Sequence, residues 1–252
     1  MFESHPNLSL PQASDTLWRY VDLWRFLSLL EQGSLWFSRL DGLEDPYEGF
    51  PPKPLVDDAR RIPEGLPEIE HQRWAQVAGR NERVFTLGRE IVCVSCWHVN
   101  PVESAGMWRL YAALGEGIAI KTTFEDLRRS FIREEPTVLG GMVRYVDFES
   151  YRPTEWNVID WATLKRTSFE HEREFRAIVM PLTWPAPAGL AVPVDLDNLI
   201  AGVYVSPAAV PWYANLVRRV CARYGLKAEV HQSELLSHPL YIQGRRAEDS
   251  VA

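Results

Sequence analysis

The stretch Ile91-Val92-Cys93-Val94-Ser95-Cys96-Trp97-His98 decides how this chain is read, because it is a short run, β-branched at its start, with polar segments on both sides. It predicts a strand. Downstream, Phe175-Arg176-Ala177-Ile178-Val179-Met180 alternates so that Phe175, Ala177 and Val179 share one face, which predicts a second strand. Further strands are expected at 17–20, 34–38, 117–122 and 142–148. Helices are expected at 23–30 (closed by Gly33), near 68–78, over the face of Met107, Leu110, Tyr111 and Leu114, from Thr123 to about 133, and at 159–169. Thr123 with Asp126 forms a capping-box-like start.

Near the end, a strand at 200–206, a helix at 207–224 and a strand at 228–232 read as a βαβ-like unit, with Ser206-Pro207 opening the helix. The helix carries a stripe of Tyr213, Leu216, Val217, Val220, Cys221 and Tyr224. The expected fold is therefore α+β, a mixed sheet system with flanking helices and this C-terminal unit. A single domain over 1–252 is expected, with 244–252 a frayed tail, since the Pro-rich stretches 49–54 and 181–193 separate no independent block.

Composition bounds the function. The 252 residues are 46% hydrophobic and 24% charged, which fits a globular chain with a substantial core and no need of metal or disulfides. Net charge is −7, from 27 basic and 34 acidic residues, and the basic ones are scattered, so a duplex-binding surface is not expected. Three cysteines make no disulfide framework, and the first residues lack the pattern of a secretory signal, which together lead to a cytoplasmic expectation. No apolar run approaches the ~20 residues of a membrane span. Ten tryptophans predict an aromatic-lined core or pocket.

Cys93 and Cys96 have C-x-x-C spacing, but three positions apart in a strand they point to opposite faces, so no metal is expected there. His98 shares the face of Val94 and Cys96 and reads as a structural hydrogen-bonder, with contact to a ligand as the alternative. Asp41, Glu44, Asp45 and Glu48 lack calcium-loop spacing and read as a solvated acidic loop. The run Glu170-His-Glu-Arg-Glu-Phe-Arg176 places Glu172, Glu174 and Arg176 on the face opposite Phe175. They either converge on a cleft or form ordinary surface pairs.

The fragments Leu17-Trp-Arg-Tyr20, Leu35-Trp-Phe-Ser-Arg-Leu-Asp41, Asp45-Pro-Tyr-Glu48, Val94-Ser-Cys-Trp97, Met107-Trp-Arg-Leu-Tyr111, Gly117-Ile-Ala-Ile120, Val143-Arg-Tyr145, Lys165 and Phe169-Glu-His-Glu-Arg-Glu-Phe-Arg176 occur in one order. In that order, over about 17–236, the chain resembles the bacterial domain-of-unknown-function family 2971. More loosely it resembles the ADP-ribosyltransferase-like fold, with Glu172-Arg-Glu174 similar to the E-x-E of arginine-modifying members. That resemblance implies an NAD-dependent ADP-ribosyltransferase-like or NAD-cleaving enzyme of a bacterial defence or stress system. It implies Glu174, Glu172 and Ser38 as catalytic residues and Arg19, Trp18, Tyr20, Trp97 and Trp108 as the cofactor-binding set. NAD would be the substrate, a protein a possible acceptor, and neither metal, membrane nor duplex nucleic acid is called for. Arg19 and Glu174 are expected to face a common aromatic cleft. The alternative is a non-catalytic module that binds a nucleotide or a protein.

Overall fold

The computed structural model describes residues 1–111, 115–153, 157–181 and 187–238. β1 (Thr16–Val21) runs into α1 (Leu23–Gln32), whose start is capped by the Asp22 side chain accepting the Arg25 N–H. Phe26, Leu29 and Leu30 form its buried stripe. Gly33, at φ 55°, takes the left-handed turn that returns the chain into β2 (Ser34–Arg39). α2 (Lys53–Arg60) and α3 (His71–Ile91) follow, then β3 (Cys93–Val99), α4 (Ala105–Tyr111), β4 (Ile118–Thr123) and α5 (Phe124–Ser130), which Thr123 caps by accepting the Asp126 N–H.

The chain continues through β5 (Leu139–Met142), β6 (Arg144–Val146), α6 (Val158–Trp161), β7 (Leu164–Arg166), a 3-10 turn over Thr167–Glu172, β8 (Glu174–Val179) and β9 (Gly189–Pro193). α7 (Leu196–Leu199), β10 (Gly202–Val205), α8 (Pro211–Arg223) and β11 (Glu229–Gln232) close it.

Among the described residues nine strands form one mixed sheet along the path β11-β10-β4-β1-β3-β2-β9, with β8 on the other side of β3 and β5 beyond it. The β10–α8–β11 unit is parallel, as the sequence predicts. β3 has an unusual position. Its whole length pairs with β8 on one edge, while its other edge is shared: Trp18 and Leu17 of β1 meet His98 and Val99, and Ser38 and Arg39 of β2 meet Val94 and Cys93. Between these two short ladders the sheet is parted.

The main core lies on one face, where Leu17, Phe37, Trp97, Phe175 and Val203 pack under Phe26, Leu127 and Val217 of α1, α5 and α8. The opposite face carries two smaller clusters, one with Leu40, Val94 and Ile178 and one with Trp18, Tyr20 and Trp108. β8 is buried throughout, so its polar residues must find partners inside. Gly189 on β9 lies under the Trp36 indole; a Cβ there would come within 2.1 Å of the ring.

Several expectations are corrected. Residues 142–148 are not one strand: 139–142 pair with β8, and 144–146 pair in parallel with β7 in a separate two-stranded sheet. Residues 159–169 are not a helix. Asn157 caps a single turn, the Thr163 hydroxyl donates to the Asp160 carbonyl at its end, and Leu164–Arg166 then extends. Ile91 is the last residue of α3, so the strand starts at Cys93. Ser206 is not the cap of α8, which begins at Pro211; its hydroxyl accepts the Ala208 N–H in the preceding turn. On α4, Met107 and Trp108 are buried while Leu110 faces solvent, and Leu114 lies outside the described residues. Tyr213, Val217 and Cys221 of the α8 stripe are buried, Leu216 and Val220 partly so, and Tyr224 donates to Glu31 at the surface. Part of the Pro-rich stretch 181–193 is an ordered edge strand; 182–186 and the tail 239–252 lie outside the described residues. No helix among the described residues is long and apolar enough to cross a membrane.

Candidate active site

Glu172 ends the 3-10 turn, Glu174 opens β8, and Arg173 between them has φ 42°, the left-handed region that a side chain enters at a cost. This kink allows both flanking carboxylates to reach the ammonium of Lys165 on β7. Lys165 Nζ ion-pairs with Glu172, lies 3.4 Å from Glu174 and 3.2 Å from Glu48, which comes from the loop after β2. Arg176 completes the cluster. Its Nε and Nη2 donate to the two Glu174 oxygens at 2.9 and 3.0 Å, its Nη2 lies 2.7 Å from Glu48, and its Nη1 donates to the Ala162 carbonyl at 2.7 Å. Two tyrosines border it: the Tyr111 hydroxyl donates to Glu172 at 2.9 Å, and the Tyr145 hydroxyl accepts the Glu174 N–H at 2.8 Å.

The kink carries a prediction. Because the Arg173 side chain is exposed, little packing is lost on replacing it, and backbone conformation dominates. Arg173→Val is expected to be about 1–2 kcal/mol less stable than Arg173→Gly, since a β-branched residue resists the left-handed region and glycine does not. Equal thermal midpoints for the two variants would show that the kink is not imposed.

All five charged groups are buried: Glu48, Lys165, Glu172, Glu174 and Arg176 are each at most 6% exposed. Burial by itself raises the pKa of Glu174, but Arg176 and Lys165 outweigh it and hold the carboxyl at about 2. The carboxylates Glu174 and Glu48 likewise push Lys165 upward against its burial, and the same pair pushes Arg176 well above its usual range. The sign of the linkage follows. A carboxylate whose folded pKa lies below its unfolded value of 4.5 contributes stability that is complete above that value and is lost as pH falls toward about 2. In urea titrations the unfolding free energy is expected to fall across this acid window, and a Glu174→Gln chain is expected to show a shallower fall; equal slopes would remove Glu174 as the source.

The residues named from the sequence separate into two groups. Glu172, Glu174 and Arg176 do come together, in a buried cluster, not as surface pairs. Glu48 and Asp45 are not part of a solvated loop: Glu48 belongs to the cluster, and Asp45 pairs with Arg166 at 2.8 Å. Lys165, Tyr111 and Tyr145 were not singled out as candidates. The signal for Lys165 was the cation pair Lys165-Arg166 directly after the largely apolar stretch Trp161-Ala-Thr-Leu164.

Arg19 does not share a cleft with Glu174, and strand alternation is the reason. Arg19 follows Leu17 and precedes Val21 on the main-core face, whereas Glu174 lies opposite Phe175 and Ala177, on the other face. The Arg19 guanidinium sits at the parting of the sheet, donating to the Ser95 hydroxyl and the Trp36 carbonyl, above the Trp97 ring. Among the described residues no carboxylate pairs with it, and burial pulls its pKa down to about 10, with Arg25 adding to the effect. Ser38 is on the Glu174 face, but it pairs with Val94, which faces Ile178, about 13 Å along β8 from Glu174.

Trp18, Tyr20 and Trp108 form a packed cluster, not a free stacking platform. Their polar atoms are occupied by the Asn100 carbonyl, the Ser104 N–H and the Glu103 carboxylate. Trp97 is buried on the opposite face. Cys93 and Cys96 do point to opposite faces, Cys93 into the main core and Cys96 against the smaller cluster, with burial and Glu174 raising the Cys96 thiol. Among the described residues no group of three or more His, Cys, Asp or Glu is arranged to hold a metal ion.

No family model matches the chain, so the resemblance to family 2971 rests on the sequence fragments, and no curated protein matches it. Among solved structures, the chain is similar to DarT of Thermus sp. 2.9 in complex with NAD+, at a TM-score of 0.41 and 9% identity, over 90% of this chain and 98% of that one. It is similar at the same TM-score and identity to the same protein in complex with ADP-ribosylated ssDNA, over 89% of this chain and 96% of that one.

Proposed function

We propose that this chain acts on the N-glycosidic bond of a pyridine dinucleotide of the NAD class, passing ADP-ribose to an acceptor or to water, with the Glu172–Lys165–Glu174 cluster as its reacting centre. One observation carries this reading: three carboxyl groups, Glu48, Glu172 and Glu174, share two cations, Lys165 and Arg176, in a site shielded from water. Breaking the nicotinamide–ribose bond builds positive charge on the ribose, and a fixed carboxylate in a low-dielectric site stabilises that charge without reorganising. The two glutamates have different parts. Glu174 is held on both oxygens by Arg176 and anchors the cluster. Glu172, bonded to Lys165 and to the half-exposed Tyr111, is the carboxylate for the developing cation.

Purified chain incubated with NAD is expected to release nicotinamide. If it neither releases nicotinamide nor transfers ADP-ribose to added protein, this reading fails. The complete pairing of Glu174 favours a second reading, a non-catalytic module for which the cluster is a structural anchor. Calorimetric binding of NAD without turnover would select it.

A further inference from the structure

His98 is a buried titratable group that the cluster does not use. It lies on β3 directly opposite Glu174 of β8, so their Cβ atoms are roughly 4.5–5.5 Å apart. Its Nδ1 is 2.6 Å from the Glu172 carbonyl oxygen. A carbonyl only accepts, so Nδ1 carries the hydrogen, and in the neutral ring the lone pair is left on Nε2. That Nε2 is buried and has no hydrogen-bond partner, in a side chain only 4% exposed overall.

A buried acceptor without a donor is rare in a folded protein and calls for a reason. The charged and titratable groups around His98 come from three elements. Glu172, Arg173 and His171 precede β8, Glu174 begins it, and Tyr20 on β1 lies with its ring centre 6.4 Å away. Burial, with Arg173 and His171 adding to it, lowers the His98 pKa and so favours the neutral ring, whose Nε2 lone pair is free to accept. α4 lies across this place: Trp108 packs edge-on against Tyr20, and Tyr111 reaches Glu172.

We infer that His98 Nε2 is the base that takes the proton of the attacking hydroxyl, an inference that rests on the glycosidic-bond reading above. In the step, the C1′–N bond breaks and its electron pair leaves with the ring nitrogen, giving neutral nicotinamide. The oxygen of water or of an acceptor hydroxyl bonds to C1′, and its proton passes to Nε2. The resulting imidazolium keeps its Nδ1 hydrogen bond to the Glu172 carbonyl.

The test is His98→Asn, whose amide N–H preserves the bond to the Glu172 carbonyl but places nothing at Nε2. With NAD as substrate, kcat for nicotinamide release is expected to fall on the order of 10²-fold, the scale of general base catalysis, with KM and the thermal midpoint unchanged. The acid limb of the wild-type kcat profile, set by a group below the ordinary histidine range, is expected to vanish in the variant. A His98→Asn chain within threefold of wild type, or one that keeps the acid limb, overturns the role of His98 and leaves the glycosidic-bond reading standing. A wild-type chain that releases no nicotinamide overturns both.

Discussion

Replacing Arg176 with leucine is expected to cost about 3–5 kcal/mol, the range for removing one partner of a buried ion network. The side chain is fully buried and is the bidentate partner of Glu174, the nearest cation to one Glu48 oxygen and a donor to the Ala162 carbonyl. Leucine fills part of the volume but leaves all three buried carboxylates with Lys165 as their one remaining cation. Arg176→Lys is expected to recover only part of the loss, because an ammonium does not reproduce the planar fork that matches a carboxylate. A further variant separates charge from packing: Arg176→Met combined with Glu48→Gln and Glu174→Gln removes cation and anions together and should be more stable than Arg176→Leu. Urea unfolding of the three chains decides the matter, and a loss below ~1 kcal/mol for Arg176→Leu would mean that the network contributes no more than a surface pair.

Glu172→Gln is expected to lower the rate of nicotinamide release by on the order of 10²–10³ while leaving the fold intact, the usual effect of removing one electrostatic stabiliser of a transition state. The amide is isosteric, and its oxygen still accepts from Lys165 or from the Tyr111 hydroxyl. Glu174→Gln should lower activity as well, but through stability, since it removes the charge that Arg176 neutralises. The paired measurement of initial rate and unfolding midpoint therefore distinguishes the two glutamates. A Glu172→Gln chain with unchanged turnover would transfer the reacting role away from this carboxylate.

The elements that carry the fold were legible where local pattern and tertiary demand agree. β8 alternates cleanly, α1 has both its cap and its closing glycine, and the last βαβ unit has turn signals on both sides. The segment 159–169 was not, because its apolar residues have no unique period and the extension at Leu164–Arg166 is fixed by burying Lys165 among carboxylates from distant parts of the chain. Such pairing is invisible to any window of sequence. The same limit applied to Glu48, whose loop looks solvated until Arg176 is placed behind it. Glu172, Glu174 and Arg176 were found because three charges ahead of an alternating strand are conspicuous. Arg19 was associated with them by likeness to a fold, and the parity of two strands, once the register is fixed, sets it on the opposite face.

The parting of the sheet has a mechanical meaning. β3 serves as a spine from which two wings extend, β1 with β4, β10 and β11 on one side of the gap and β2 with β9 on the other. α1 straps the wings together along the chain, and the Arg19 guanidinium is a peg between them, fixed to Ser95 on the spine and to the Trp36 carbonyl on the second wing. Shortening that peg breaks no ladder pair. It is expected to loosen the angle between the wings, and the measurement that checks this is amide exchange, faster along the short β1–β3 and β2–β3 junctions and unchanged along the long β3–β8 seam.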